Sequence, residues 1–308
     1  RQALHRKARA DQLVKWWGPK TPAEITAQSC KSYASHRRSQ VRAGTDGGRT
    51  IDLEIEALAG ALNFAVLEGL TDRNPLDGQR VRFYRASTAQ HCRDFAPSSG
   101  DELHNLAAAL FETPKSEVLG WQLLVEAMSG TRTCETLALR ADAKSRGEPG
   151  FVEGEWLWLR RAKGGVNPFA VIHPGLRECL SALSAWRRRR FPSSPWFFPS
   201  PYDSKRHVDP CALAHALRRI GPIVCQAKRT PHGLRAFFVT VRRSQGISDA
   251  QVAAEIGDRS GASLIASTYG AVPPNWRGGP NLDFLPTKGE PAWHTFLNTT
   301  SLPAVEVL

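Results

Sequence analysis

The chain has 308 residues, 41% hydrophobic and 23% charged, enough for two domains with separate cores. Lys plus Arg is 41 against 29 Asp plus Glu, a net charge of +12, so the partner to look for is a polyanion, nucleic acid first, unless the excess is only solvated surface charge. No apolar run reaches the roughly 18 to 20 residues of a membrane span, the stretch after Arg1 holds no signal-peptide core, and the six cysteines (30, 92, 134, 179, 211, 225) show no CxxC spacing that would signal a zinc site or a disulfide framework. The expectation is a cytoplasmic, nucleoid-associated protein that needs no metal and no cofactor.

Residues 1–86 read as helices. Thr21-Pro22-Ala23-Glu24 is a helix start, with Thr at the N-cap, Pro at the first position and Glu closing a capping box. A second helix begins at Thr50; Ile51, Leu58, Leu62, Ala65 and Val66 form its apolar stripe and Gly69 stops it. The first 90 residues hold 15 Lys/Arg and 9 Asp/Glu, a balance of +6, half the total on under a third of the chain. His36, Arg37, Arg38 and Arg42 form a basic cluster, either a phosphate-contacting face or a solvated one. Asn74-Pro75, Ala96-Pro97 and Ser98-Ser99-Gly100 give residues 71–100 the composition of a linker. The expected division is a helical domain over 1–90, a second domain over 91–275 and a tail over 276–308.

Helical patterning resumes at 101. Thr113-Pro114 caps one segment, and Trp121, Leu124, Val125 and Met128 line another. Residues 151–173 change period: Phe151-Val152, Trp156 to Leu159 and Phe169 to Ile172 read as strands, with Ala162-Lys163-Gly164-Gly165 as the turn between the last two. The run Arg187 to Arg190 is a DNA contact or a charged helix end. Thr230 and Pro231 open a helix that Gly246 stops, Ser248 opens another that Gly257 ends, and a short one covers about 261–269. The fold class is therefore mainly α with a small β-sheet in the second domain.

One scattered set of residues carries chemistry: Ser129-Gly130-Thr131-Arg132-Thr133-Cys134-Glu135, then Lys163, then His232-Gly233-Leu234-Arg235, then Tyr269. Cleaving a phosphodiester builds negative charge on the non-bridging oxygens, so fixed positive charge must stand there beforehand. Arginine supplies it as a planar, permanently protonated fork. Arg132 and Arg235 are the candidates, with His232 one turn before Arg235 on the same helix face. A tyrosine nucleophile keeps the bond energy in a phosphotyrosyl link. Of the four tyrosines (33, 84, 202, 269), Tyr269 lies just downstream of the His/Arg helix. A lysine on a hairpin can protonate the leaving oxygen, and Lys163 sits in such a turn. Each residue alone reads more simply as packing or surface; the five together, in this order, do not.

These segments resemble the catalytic boxes of the tyrosine recombinases, the phage-type integrases. Ser129 to Leu139 resembles the first arginine box, Thr230 to Arg235 the His-x-x-Arg box, and Ser267-Thr268-Tyr269-Gly270 the tyrosine box. Thr21–Tyr33 and Thr50–Pro75 resemble the family's helical core-binding domain, so the resemblance spans about residues 10–275. It implies a two-domain DNA clamp that performs site-specific recombination through a 3′-phosphotyrosyl intermediate and a Holliday junction, without metal or ATP. It further implies a homotetramer on two double-stranded DNA sites, with Glu135 bracing the arginines from behind. A C-terminal segment that docks on a neighbouring protomer is also implied; residues 277–308 either do this, with Trp293, Phe296 and Leu297 as apolar anchors, or pack on their own domain. One position departs. Where the family has Leu-Gly-His nine or ten residues before the tyrosine, this chain has Ile256-Gly257-Asp258-Arg259, with Asp258 eleven before Tyr269. Asp258 or Arg259 would take the histidine's place. The rival readings are a type IB topoisomerase or telomere resolvase, which use similar chemistry, and a degenerate homologue that only binds DNA.

Overall fold

The structure, a computed structural model, describes residues 2–40, 47–79, 81–83, 92–160, 168–258, 261–269, 284–285 and 289–299. The chain folds as two compact units, Arg1–Ala89 and Gln90–Leu308. Among the described residues no helix is long and apolar enough to cross a membrane.

The first unit is built from α1 (Gln2–Trp17), α2 (Ala27–Gln40) and α3 (Gly48–Leu67). Its core gathers Leu13, Trp17, Ile25, Cys30, Tyr33, Ile51, Ile55, Leu58 and Leu62. The α3 stripe is as the periodicity predicts, except that Ala65 and Val66 are only half-buried. The capping box at Thr21 forms, with the Thr21 N–H donating to Glu24 Oε2 at 2.7 Å, but it opens only a single 3-10 turn. Ile25 then extends into the core, 5% exposed. The helix restarts at Ala27, where Thr26 and Ser29 exchange backbone-to-hydroxyl hydrogen bonds. Burying Ile25 outweighs continuing a helix. A buried polar network links α2 to α3: Glu54 receives Tyr33 Oη at 2.8 Å and both Nε and Nη2 of Arg37, at 3.0 and 2.8 Å.

The second unit forms around α5 (Glu117–Ser129), every residue of which is buried. A helix without a polar face must be central. α4 (Gly100–Phe111), α7 (Pro174–Arg190), α8 (Ala212–Val224) and α9 (Pro231–Ser244) surround it. Trp121, fully buried, anchors the aromatic part of this core against Phe111, Trp186 and Phe296. The segment Thr113-Pro114 makes a turn rather than the cap itself; α5 begins three residues on, because the Ser116 hydroxyl is drawn to the Leu110 carbonyl. The one-turn α6 (Thr133–Thr136) follows α5. A small antiparallel sheet of β1 (Val152–Glu153), β2 (Trp156–Trp158) and β3 (Phe169–Val171) lies in the order β1-β2-β3, with Leu157 opposite Ala170. α10 (Asp249–Glu255), α11 (Gly261–Leu264) and a π-helical turn over Ile265–Tyr269 close the unit's far side.

α12 (Ala292–Thr299) packs on its own unit. The Ala292 N–H donates to His104 Nδ1 at 3.2 Å, Trp293 is fully buried beside His104, and Phe296 stacks on Phe111 at 4.7 Å between ring centres. Two of the anchors expected to dock on a neighbour, Trp293 and Phe296, thus fill their own core here; the Leu297 side chain lies outside the described residues.

Candidate active site

The loop that carries Arg132 is shaped before the arginine is reached. α5 ends at Gly130, whose φ of 63° is left-handed and whose absent Cβ would strike Phe238 and Ile256 at 2.6 and 2.9 Å. A chain of buried hydroxyls then fixes the turn: Ser129 Oγ donates to the Val125 carbonyl at 2.6 Å, lies 2.8 Å from Thr131 Oγ1, and Thr131 lies 2.7 Å from Thr136 Oγ1. Arg132 stands at the head of α6. Glu135, fully buried, accepts from the Arg132 backbone N–H and from its Nη1, both at 3.0 Å.

Arg235 arrives on α9. Thr230 Oγ1 caps that helix by accepting from the Gly233 N–H at 3.1 Å, with Pro231 at the first helical position. Gly233 is required by close approach, since a Cβ there would run into the Phe95 carbonyl. Arg229, just ahead, ties the same segment down through Glu102 and the Asp94 carbonyl. The Arg235 side chain is 2% exposed. Nη1 donates to the Gly130 carbonyl at 2.5 Å, Nη2 to the Ile256 carbonyl at 2.9 Å, and Nε to Tyr269 Oη at 3.2 Å. These carbonyls belong to the C-terminal ends of α5 and α10, where the helix dipoles favour a cation. Burial lowers the guanidinium pKa, offset in part by Tyr269. Among the described residues each terminal nitrogen makes one of these hydrogen bonds and carries a second N–H.

The third strand of the site is the chain from α10 to Tyr269. α10 ends in a Schellman motif: the Asp258 N–H bonds the Ala253 carbonyl at 2.8 Å, the Gly257 N–H bonds Ala254 at 3.0 Å, and Gly257 has φ 65°. Asp258 is thereby placed with Oδ2 3.7 Å from Arg132 Nη2 and 4.0 Å from Arg235 Nη2. The π-helical turn brings Tyr269, 3% exposed, back onto Arg235. His232 lies exposed at the mouth, its ring centre 6.3 Å from that of Tyr269. Desolvation by the protein beneath it, then Arg235 and Arg132, lower its pKa and so favour the neutral imidazole.

The structure therefore brings together Arg132, Glu135, His232, Arg235, Asp258 and Tyr269 from four stretches of the chain. Lys163 and Arg259 lie outside the described residues, as does Arg42. Arg37 is held inside the first unit by Glu54, whereas Arg38 is exposed and reaches only the Phe83 carbonyl at 3.4 Å. Of the Arg187 to Arg190 run, Arg187 caps the end of α7 by donating to the Ser194 carbonyl at 2.6 Å, and the other three are exposed.

One site residue escaped the sequence reading. Glu126, on α5 and fully buried, receives Gln122 Nε2 at 2.7 Å and the Thr133 hydroxyl at 3.1 Å, so it supports the residue after Arg132. Burial pushes its pKa up to about 8, with the Glu135 carboxyl adding to the rise. An acidic residue in the apolar run Leu123-Leu124-Val125-Glu126-Ala127-Met128 was the available signal. Among the described residues no group of three or more His, Cys, Asp or Glu is arranged to hold a metal ion.

No family model matches the sequence, and no curated protein matches it. Solved structures do match. A lambda integrase dimer bound to a COC′ core site superposes with a TM-score of 0.63 at 16% identity, covering 88% of this chain and 89% of that one. The Tn1549 transposon integrase in complex with transposon right-end DNA gives 0.63 at 14% identity, over 87% and 88%. A lambda integrase tetramer bound to a Holliday junction gives 0.60 at 16% identity, over 84% and 71%. The fold is thus that of these integrases, mainly helical with a small antiparallel sheet.

Proposed function

We propose that this chain, which has the fold of the integrase-type tyrosine recombinases, breaks and rejoins DNA at specific sites through a covalent bond to Tyr269. The observation that carries the reading is the convergence on one point of two guanidiniums, Arg132 and Arg235, with the Tyr269 hydroxyl hydrogen-bonded to one of them at 3.2 Å. The scissile phosphate takes the place between the arginines, which grip its non-bridging oxygens and stabilise the charge of the five-coordinate state. His232, its neutral form favoured, adds a hydrogen bond from the mouth. Tyr269 Oη, eased toward the phenolate by the Arg235 Nε donor, releases its proton to solvent and attacks phosphorus; the bond to the 5′ oxygen breaks and a 3′-phosphotyrosyl link forms. Lys163 is the proposed proton donor to the departing 5′ oxygen. A 5′ hydroxyl from another strand reverses the step, and the conserved bond energy makes ATP unnecessary. The arginines supply the positive charge that another nuclease would draw from a metal.

The double-stranded DNA partner, site specificity, a Holliday-junction intermediate and a homotetramer on two sites belong to this same reading. Support comes from the integrases of this fold, which are seen on core-site DNA, on transposon-end DNA and as a tetramer on a Holliday junction. The +12 charge is in keeping with it. The division into a core-binding domain over 1–90, a catalytic domain over 91–275 and a tail is proposed with it. A DNA-binding-only reading draws on one observation, the Asp258 carboxyl on both arginines. Covalent capture separates the two. The protein is incubated in EDTA with a library of nicked duplexes of random sequence, and SDS-resistant complexes are recovered and sequenced. Enrichment of a sequence by the wild-type chain, absent with Tyr269→Phe, is the expected result; retained DNA binding with no covalent complex supports the binding-only reading.

A further inference from the structure

Asp258 has an unusual place in a site meant for an anion. Its backbone is pinned by two hydrogen bonds of the Schellman motif, so the side chain starts from a fixed point. One oxygen, Oδ2, stands 3.7 Å from Nη2 of Arg132 and 4.0 Å from Nη2 of Arg235. Both distances suit an ionic contact and exceed a good hydrogen bond. The side chain is 13% exposed, so water screens the contact only in part. The other groups that face this point are Glu135, engaged on Nη1 of Arg132; Tyr269, on Nε of Arg235; and His232, at the mouth. The Asp258 carboxyl therefore lies within ionic reach of both guanidiniums.

Resting on the reading above, we propose that Asp258 is a built-in competitor for the phosphate seat, a carboxylate that neutralises the two arginines until the scissile phosphate displaces it. A phosphodiester oxygen and a carboxylate oxygen make the same demands on a guanidinium fork, so both cannot hold Arg132 and Arg235 at once. The pairing offsets the repulsion between buried Arg235 and part-exposed Arg132 in the unbound protein, and it sets a threshold: only DNA held by enough other contacts opens the site. The residue thus tunes the enzyme toward cognate, firmly bound DNA and away from incidental phosphates.

The test uses inorganic phosphate as the probe and the full chain. Phosphate affinity is read from the rise in melting temperature at matched ionic strength, for wild type, Asp258→Asn and Asp258→Ala, with Arg132→Ala/Asp258→Asn as control. The expected result is roughly tenfold tighter phosphate binding in both single variants, the scale set by removing a like charge from the interface, and loss of that gain in the double variant. Equal or weaker binding in both single variants overturns the proposal and makes Asp258 a positioning residue. In the random-duplex capture, both single variants are expected to trap DNA faster and with less sequence enrichment. Tighter phosphate binding with no covalent complex from any protein leaves the competitor in place and removes the recombinase reading. A Tyr269-dependent complex with unchanged phosphate binding removes the competitor alone.

Discussion

Arg37 in the first unit is part-buried and Arg235 in the second is fully buried, and the difference in how each is held is instructive. Arg37 gives Nε and Nη2 to Glu54, itself 2% exposed, and Nη1 to Gln40, so its charge and its donors are consumed inside the protein. Arg235 gives its donors to two helix-end carbonyls and a tyrosine hydroxyl, none of which carries a full negative charge. The first arginine is neutralised by its partner. The second is held in place by dipoles while its charge stays directed at the site, where the nearest carboxylates, Asp258 and Glu135, make no hydrogen bond to it among the described residues. Burial of a cation is costly, so a fold that holds one without a close carboxylate has a use for the charge.

The largest test of that contrast is Arg235→Lys. An ammonium cannot span Gly130, Ile256 and Tyr269 together, so formation of the covalent complex is expected to fall by about 100- to 1,000-fold, the loss seen when a fixed transition-state donor is removed. A rate within about threefold of wild type would mean that the fork is not needed. Next is Arg37→Ala, which leaves Glu54 buried and unpaired; denaturant unfolding of the first unit should register a loss of about 3 to 5 kcal/mol. Were Arg37 a phosphate contact instead, stability would hold and the salt dependence of DNA binding would weaken.

Glu126→Gln gives a smaller effect that depends on pH. The Glu126 pKa stands near 8 in the folded chain against 4.5 when exposed, so the unfolded chain releases that proton first. Stability from this group is fully present below about pH 4.5 and is lost as pH rises toward 8. Glutamine imitates the protonated acid, so melting curves of the variant and wild type should converge near pH 4.5. The variant should be more stable by on the order of 1 to 3 kcal/mol at pH 8.5 and above. A constant offset across that range would place the effect in packing instead. The smallest expected change is Arg38→Ala, which should leave stability within about 0.5 kcal/mol and lower the salt slope of DNA binding by about one.

The contrast between the two arginines was only half legible in the sequence. The loops that place Arg132 and Arg235 could be read because each candidate residue follows local grammar: a glycine that ends a helix, a Thr-Pro that opens one, a glycine where backbone passes close. The three short strands could be read from alternation and aromatic content. Arg37 could not be told from Arg38, because adjacent positions on a helix face different ways and only the fold reveals which one meets Glu54, 17 residues later. Thr21 to Glu24 had every cap signal yet gives one turn, because the depth to which Ile25 must reach is a tertiary quantity. Asp258 was visible as a departure, but its contact with both arginines depends on where α10 ends against α9 and α6.

The central claim is that Tyr269 is the nucleophile, and the most direct measurement is to locate the covalent bond. The complex trapped on nicked DNA is digested with protease and nuclease, and the nucleotide-bearing peptide is identified by mass spectrometry. A nucleotide on the peptide that contains Ala266-Ser267-Thr268-Tyr269, linked through the Tyr269 oxygen and insensitive to chelation, is the predicted result. A nucleotide on the exposed Tyr202 or on any other residue would contradict the account.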